Sequence, residues 1–135
     1  MIPEIDVRKL TAKKISEGAL AFTFAADADL LDIPFVGFEG ETEAELTYRI
    51  FEDDSVEVTG RIAFVLKGAC SRCLSEARAR FTGDVEGVFF PGESDGENYG
   101  YAGGKIDLTE LMRDSVMFAL PARLLCDACT QWEND

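Results

Sequence analysis

Residues 42–73, TEAELTYRIFEDDSVEVTGRIAFVLKGACSRC, carry the clearest structural signal in this chain. Apolar and polar residues alternate from 42 to 51, and the alternation resumes from 56 to 67 after an acidic run at 52–55. A period of two indicates strands with one buried face, and the acidic run between them is typical of a turn. The stretch therefore predicts a β-hairpin whose second strand ends at the first pair of cysteines.

The sequences on either side of this hairpin add two strands and a loop. Residues 19–24 alternate in the same way, and residues 80–90 resume strand character. Within the second of these segments, Gly83 and Gly87 indicate a bend or a bulge. Residues 91–105 hold five glycines and three acidic residues, which predicts a flexible surface loop.

One helix is predicted over residues 107–119, because apolar side chains recur there at helical spacing. Asp107 as N-cap and Glu110 three residues later form a pair resembling a capping box, and Pro121 ends the helix. We therefore expect a single α+β domain over residues 1–135. It would consist of a mostly antiparallel body, either a β-sheet or a barrel-like form of one, together with one C-terminal amphipathic helix and a pair of cysteine knuckles.

Length and charge restrict the kinds of protein that this chain can be. Its 135 residues suit one domain, and no apolar stretch approaches the roughly 20 residues that span a bilayer. We therefore expect a cytoplasmic protein without a membrane partner. The 13 basic and 26 acidic residues give a net charge of −13, which opposes non-specific nucleic-acid binding and favours basic partners.

The sequence contains no histidine. This removes the commonest general base and every nucleophile that a histidine would activate. Carboxylates such as Asp53 and Asp54 could bind a divalent ion, but their position in a turn is more typical of solvated residues. We therefore expect a protein that is not an enzyme and has no small-molecule substrate.

Four cysteines in two Cys-x-x-Cys pairs form the strongest chemical motif in the sequence. Both sulfur atoms of one pair can point at the same metal ion, and two pairs complete a tetrahedral thiolate site. A site with four protein ligands is normally structural, because no position stays open for water. We expect a structural zinc ion at this site. Its predicted ligands are Cys70, Cys73, Cys126 and Cys129.

Two other uses of the cysteines are open. A disulfide framework would need an export signal, and the first residues contain neither a basic region nor an apolar run. A redox pair would lie at a strand-to-helix turn, whereas Cys70 follows a strand in a β-rich stretch. Leu74 and Thr130 also occupy the places after each pair where glycine often eases the chain around a metal.

Two charged surfaces are candidates for binding a partner. Within residues 67–80, four basic residues are opposed by one acidic residue, and such a patch can contact RNA phosphates. The basic residues are Lys67, Arg72, Arg78 and Arg80. The alternative is that their side chains pair with surrounding acids. The second surface is an acidic row that could meet a basic protein. It consists of Glu41, Glu43 and Glu45.

The order of these features resembles the YceD family of bacterial large ribosomal RNA subunit accumulation proteins. The resemblance rests on Cys70-Ser71-Arg72-Cys73-Leu74, on the glycine- and acid-rich loop, and on a helix ending in Ala119-Leu120-Pro121 before Cys126. It covers nearly the whole chain. It implies an accessory role in the synthesis, processing or stability of 23S ribosomal RNA, without catalytic activity. The implied partner is ribosomal RNA. The alternative, which the net charge of −13 favours, is an acidic adaptor that engages a basic ribosomal protein of the large subunit.

The sequence departs from this family after the second cysteine pair. Many members continue beyond the equivalent of Cys129 with a further Gly-Leu-Cys-Pro-x-x-Cys-Gly segment, where this chain has Thr130-Gln131-Trp132-Glu133. Two alternatives follow for the metal site. Either four cysteines suffice, or a second half-site present in other members is missing.

Overall fold

An open five-stranded β-sheet organises the residues that this computed structural model describes, namely 2–92, 99–126 and 128–129. Its strands lie in the order β2-β3-β4-β5-β6. In chain order they are β2 (Glu17–Phe24), β3 (Val36–Ile50), β4 (Val56–Ala69), β5 (Glu76–Pro91) and β6 (Tyr99–Tyr101). The first four are antiparallel neighbours, and β6 runs parallel to the end of β5.

Five further segments complete the described fold. Strands β1 (Glu4–Asp6) and β7 (Lys105–Asp107) pair with each other in a separate two-stranded sheet. Helix α1 (Val7–Ala12) follows β1, and a short 3-10 turn lies between β2 and β3. Helix α2 (Thr109–Ala119) follows β7 and packs against β5. Neither α-helix in the described part of the chain has the length and apolar character needed to span a bilayer.

The α+β fold with a mostly antiparallel sheet is confirmed, and of the two expected forms of the body the structure shows an open sheet and not a barrel. A barrel requires its first and last strands to pair. Here β2 and β6 lie at opposite edges of the sheet. They also differ in length, with eight residues in one and three in the other, so they offer no continuous ladder for closure.

The hairpin predicted from residues 42–67 is confirmed. Strands β3 and β4 pair from Ile50 opposite Val56, and the intervening acidic residues form the turn. In β3 the register shifts between Glu39 and Glu43, around Gly40 with φ of +71°. A left-handed residue of this kind suits glycine and lets the long strand bend without losing its partner.

One face of the sheet forms the core, and helix α2 covers part of it. Alternate residues of β4 and β5 are buried, as the period of two predicts. The opposite face carries the charged residues of every long strand. Residues of both layers that are almost fully buried include Val58, Ile62, Leu66, Val85, Phe89, Leu111, Met112 and Val116.

The two glycines of β5 make room for helix α2 instead of forming a bulge. Strand β5 keeps a continuous register with β4 at both positions. A Cβ atom on Gly83 would lie 2.6 Å from Cβ of Ala119, and one on Gly87 would lie 2.9 Å from Cδ1 of Leu111. Both distances are shorter than van der Waals contact, so the missing side chains let the helix approach the strand closely.

Helix α2 begins two residues later than predicted. Asp107 ends β7, and its carboxylate accepts a hydrogen bond of 2.9 Å from the backbone N–H of Thr109. Hydrogen bonding from the Thr109 hydroxyl, together with this backbone bond, lowers the pKa of Asp107. Asp107 therefore supports the start of the helix as expected, but from one position before the cap residue Leu108.

The expected loop over residues 91–105 is structured at its C-terminal side. Strand β6 and the start of β7 fall within it, while residues 93–98 lie outside the described residues. The hydroxyl of Tyr99 donates a hydrogen bond of 2.6 Å to Asp114 of α2. Burial and this carboxylate raise the pKa of Tyr99, so the hydroxyl remains a neutral donor that ties β6 to the helix.

Candidate metal centre

The four cysteines predicted to bind metal converge at one end of the sheet. Their sulfur atoms all lie within 4.8 Å of one another, and those of Cys73 and Cys126 are 3.5 Å apart. A tetrahedral zinc ion with Zn–S bonds of about 2.3 Å separates its sulfur ligands by about 3.8 Å. The observed spacing is therefore compatible with one ion bound by four thiolates.

The first pair lies in the turn that connects β4 to β5. The strands remain paired up to Ala69 opposite Glu76, and the knuckle closes beyond that point. The backbone N–H of Cys70 donates to the carbonyl of Ser75 at 2.7 Å, and Leu74 N–H donates to the carbonyl of Cys70 at 2.9 Å. These main-chain bonds fix the backbone of the knuckle.

Leu74 has a left-handed backbone conformation, which glycine adopts more easily than leucine. Its φ is +64°, and 71% of the residue is exposed. A left-handed residue with a Cβ atom costs about 1–2 kcal/mol. This unfavourable conformation lies at the tip of the knuckle, where the chain must reverse tightly after Cys73. Thr130, the corresponding residue after the second pair, lies outside the described residues.

The second pair is held against the first by hydrogen bonds that need no metal. Ser71 N–H donates to the carbonyl of Leu124 at 2.8 Å, and Leu124 N–H donates to the Ser71 hydroxyl oxygen at 3.3 Å. The side chain of Leu124 is buried, with 1% exposure. The segment after α2 is therefore docked onto the knuckle immediately before Cys126.

The four thiols lie in different electrostatic environments. Backbone N–H groups of Cys73, Cys126 and Arg72 point at the sulfur of Cys70 and lower its pKa to about 6, against the opposing effect of burial. The hydroxyl and N–H of Ser75 lower the pKa of Cys73. Burial, together with the neighbouring sulfur atoms, raises the pKa of Cys129 to about 12. Without a cation the cluster therefore combines thiolate and thiol groups, because four adjacent negative charges would repel one another.

Three of the four basic residues predicted to face RNA are paired with acids. Lys67 lies 3.7 Å from Glu76, and Arg80 lies 3.4 Å from Glu43. Arg78 forms an ion pair with Glu39. All three basic residues lie on the outer face of the sheet. Lys67 is on β4 and pairs with a residue of β5, whereas both arginines are on β5 and pair with residues of β3. The fourth, Arg72, lies inside the knuckle.

The predicted acidic row lies on the same face as the basic residues. Glu43 pairs with Arg80, and Glu41 accepts a hydrogen bond of 2.6 Å from the hydroxyl of Thr23. Glu45 lies opposite Arg61 in the strand register, in the row that also contains Asp84. The two predicted surfaces are thus neighbouring parts of one charged face. Their roles in RNA or protein binding remain predictions.

Two residues that support the cysteine site were missed by sequence reasoning. Ser71 and Leu124 hold the two halves together, yet neither belongs to the Cys-x-x-Cys spacing. A hydroxyl residue inside a knuckle has no distinctive sequence signal. Leu124 could be noticed only as an apolar residue next to a cysteine pair, which is equally typical of ordinary core packing.

These observations define a small α+β protein with an open antiparallel sheet and a candidate metal site of four cysteines. The sequence model of the family described as "Large ribosomal RNA subunit accumulation protein YceD" matches residues 58–134, which include all four cysteines. The match covers more than half of the chain, and the chain belongs to this family. No match was found among curated proteins or among solved structures.

Proposed function

We propose that this protein is a non-enzymatic accessory factor in the biogenesis of the large ribosomal subunit. It supports the synthesis, processing or stability of 23S ribosomal RNA. The observation that carries this proposal is the family match over residues 58–134, since the family description names accumulation of large-subunit ribosomal RNA. The cysteine cluster supports it as well, because it lies entirely within the matched segment.

The four cysteines bind a structural zinc ion in this proposal. Four sulfur ligands fill a tetrahedral site and leave no position for a reacting water molecule. The backbone N–H groups around Cys70 would stabilise negative charge on its sulfur when metal is bound. The ion would join the β4–β5 turn to the segment after α2, and so fix the end of the helix relative to the sheet.

The charged face favours a protein partner over direct contact with RNA. Each of Lys67, Arg78 and Arg80 already has an acidic neighbour, so an RNA phosphate would have to displace a carboxylate. Exposed ion pairs are weak, at about 0–1 kcal/mol, but the carboxylates would then repel the phosphate. The acidic chain, at −13, instead suits a basic protein of the large subunit. In this version the protein acts as an adaptor.

The first experiment is a deletion of the protein with measurement of mature large-subunit RNA relative to small-subunit RNA. We expect the ratio to fall, and to recover on expression of the wild-type chain but not of Cys70→Ser. An unchanged ratio in the deletion strain would contradict the proposal. Cleavage of ribosomal RNA by the purified protein with a divalent ion would contradict its non-enzymatic part.

A second experiment separates the adaptor from a direct RNA-binding protein. The tagged chain is recovered from cells, and bound proteins are identified before and after nuclease treatment. The adaptor predicts a basic large-subunit protein whose recovery survives nuclease and is lost when three glutamates are changed to glutamine. These are Glu41, Glu43 and Glu45. Recovery that depends on RNA and on Arg72 would instead establish direct RNA binding.

A further inference from the structure

Strand β2 is an open edge of the sheet. It pairs with β3 over all eight of its residues, and among the residues that the structure describes no other strand pairs with it. Exposed edges are usually protected by lysine, proline, a bulge or a covering segment. Strand β2 has no lysine, arginine or proline, and its pairing with β3 contains no register shift.

The hydrogen-bond pattern shows which backbone groups point outward. Ile50 N–H donates to the carbonyl of Ser16 at 2.7 Å, so residues of β2 with even numbers face β3. The bond from Phe51 N–H to the carbonyl of Ser55 leads to the same conclusion. It shows that odd-numbered residues of β3 direct their backbone groups toward β4, so the even-numbered ones direct theirs toward β2. Glu17, Ala19 and Ala21 therefore direct their N–H and carbonyl groups away from the sheet, along the open edge.

The side chains beside this edge differ between the two faces. On the outer face, Ala19 and Ala21 are small, and Glu17 is exposed at the end of the strand. Behind the alanines, the outer row of β3 has Glu45 directly opposite Ala21 and Thr47 opposite Ala19. Adjacent strands lie about 4.8 Å apart, so a long basic side chain on an added strand would reach across the alanine methyl group toward Glu45.

The inner face beside the edge is more apolar. A groove of about 310 Å³ is lined there by Leu10, Ile15 and Leu20, with Tyr48 beside them. Lys9 and Lys13 also line it, together with two acidic residues, so its charged side chains balance one another. A second groove of about 480 Å³ lies over the outer face at the start of β2, where Glu17 and Glu57 lie on either side of Arg49. Side chains of an added strand alternate between the two faces, so one set would meet carboxylates and the other set would meet apolar side chains.

We infer that the edge of β2 binds an extended basic segment of a partner protein, which adds to the sheet as a sixth strand. Its residues alternate between arginine or lysine and apolar side chains. Charge selects this occupant over a second copy of the chain, because pairing two β2 edges would bring two chains of −13 together with their acidic rows adjacent. Only the identity of the partner, a basic component of the large subunit, rests on the proposed function.

The test uses the full chain in its reduced, metal-loaded form and a peptide of alternating arginine and valine, seven residues long. Hydrogen exchange of individual amides is followed by NMR with and without the peptide. We expect slower exchange at Glu17, Ala19 and Ala21, and little change at Leu20 and Phe22, which already bond to β3. A peptide of the same composition with arginine and valine in two blocks is the control for charge alone.

Two sets of variants test the contacts separately. Ala21→Pro removes one outward N–H and is tolerated on an edge strand, and it should weaken peptide binding by about fivefold or more. Changing Glu17 and Glu45 to glutamine leaves the backbone intact and should weaken binding by about two- to fivefold per residue at low salt. Glu86→Gln, the same charge change on distant β5, should leave binding unchanged.

Several results would overturn the inference. They are no binding of the alternating peptide, equal binding of the block peptide, unchanged exchange at the three edge amides, and full binding by Ala21→Pro. A free protein that sediments as a dimer, and becomes a monomer in Ala21→Pro, would assign the edge to a second copy and also overturn it.

The strain used for the proposed function separates the two conclusions. If Ala21→Pro loses the peptide and fails to restore large-subunit RNA, the edge and the function are both supported. If it loses the peptide but restores the RNA fully, the inferred partner is overturned and the proposed function stands. If deletion of the chain leaves the RNA unchanged, the proposed function fails, and the exchange pattern alone decides whether the edge binds basic strands.

Discussion

Substitution of Cys70 by serine should remove the metal and destabilise the fold together. The side chain of Cys70 is fully buried, and three backbone N–H groups point at its sulfur. An ion at this site closes a loop of 52 residues between Cys73 and Cys126. If the metal stays bound to the unfolded chain, such a loop corresponds to about 4 kcal/mol of stability. If it is released on unfolding, free metal at about a thousand times its Kd gives a similar 4 kcal/mol.

The assay is urea and thermal unfolding of wild type and Cys70→Ser, each with and without a strong chelator. We expect the substitution to lower the free energy of unfolding by about 4 kcal/mol, which corresponds to about 15 °C in Tm for a chain of this size. In chelator the two proteins should agree to within about 1 kcal/mol, the cost of burying a hydroxyl group. Ala77→Ser, at a buried position outside the cluster, is the control: its effect should not depend on chelator.

Two outcomes would refute this reasoning. A wild-type midpoint that is the same with and without chelator would show that no metal stabilises the fold. A difference between wild type and Cys70→Ser that persists unchanged in chelator would show that Cys70 contributes only as a packed side chain.

Three further predictions concern the helix contact, the knuckle and the protons of the cluster. Gly83→Ala should lower the free energy of unfolding, measured in urea, by about 1–3 kcal/mol because the added Cβ would overlap Ala119. In the control Gly37→Ala the added Cβ meets nothing within 4 Å, so the free energy should change by less than about 0.5 kcal/mol. Equal effects of the two substitutions would contradict close packing between β5 and α2. Leu74→Gly should raise stability by about 0.5–1 kcal/mol by relieving a φ of +64°, and a loss in thermal unfolding would count against strain at that residue. Because the pKa of Cys129 is raised to about 12, metal binding at pH 7 should release at least one proton, and the affinity should rise about tenfold per pH unit for each proton released. Calorimetry in buffers of different ionisation enthalpy measures the number of protons released. Release of no proton would contradict the assignment of Cys129 as a protonated thiol in the metal-free protein.

The pH dependence has a definite sign. The pKa of Cys70 is lowered to about 6, so this sulfur is already a thiolate at neutral pH and contributes to metal binding without releasing a proton. Its contribution is present above pH 6 and is lost as the pH falls through that value. Proton release should therefore increase, and metal affinity should fall more steeply, below about pH 6.

The strands and the two halves of the cysteine cluster were predictable because their signals are local. Alternation from 42 to 67 reflects one buried face, and the same pattern is seen in the exposure of β3 and β4. The spacing of each cysteine pair is set by the geometry of a single turn. That the pairs meet depends on the hairpin and helix α2, and the structure shows their sulfur atoms within 4.8 Å.

The features that were missed depend on contacts distant in the sequence. Gly83 indicated a bulge when viewed within its own strand, but its partner is Ala119 of the helix. Pairing of the basic residues with acids was one of two open alternatives, and only the folded sheet shows that Arg80 lies 3.4 Å from Glu43. Helix α1 has only six residues, too few for a helical period to be recognised. Whether the sheet stays open or closes into a barrel likewise depends on which strands become neighbours.

The most direct test of the central claim is the metal content of the protein purified under reducing conditions without added metal. Native mass spectrometry and thiol labelling would be applied to the same sample. We predict one zinc ion per chain, with Cys70, Cys73, Cys126 and Cys129 protected from labelling until a chelator is added. A chain without metal, with all four thiols reactive from the start, would contradict the proposed zinc site.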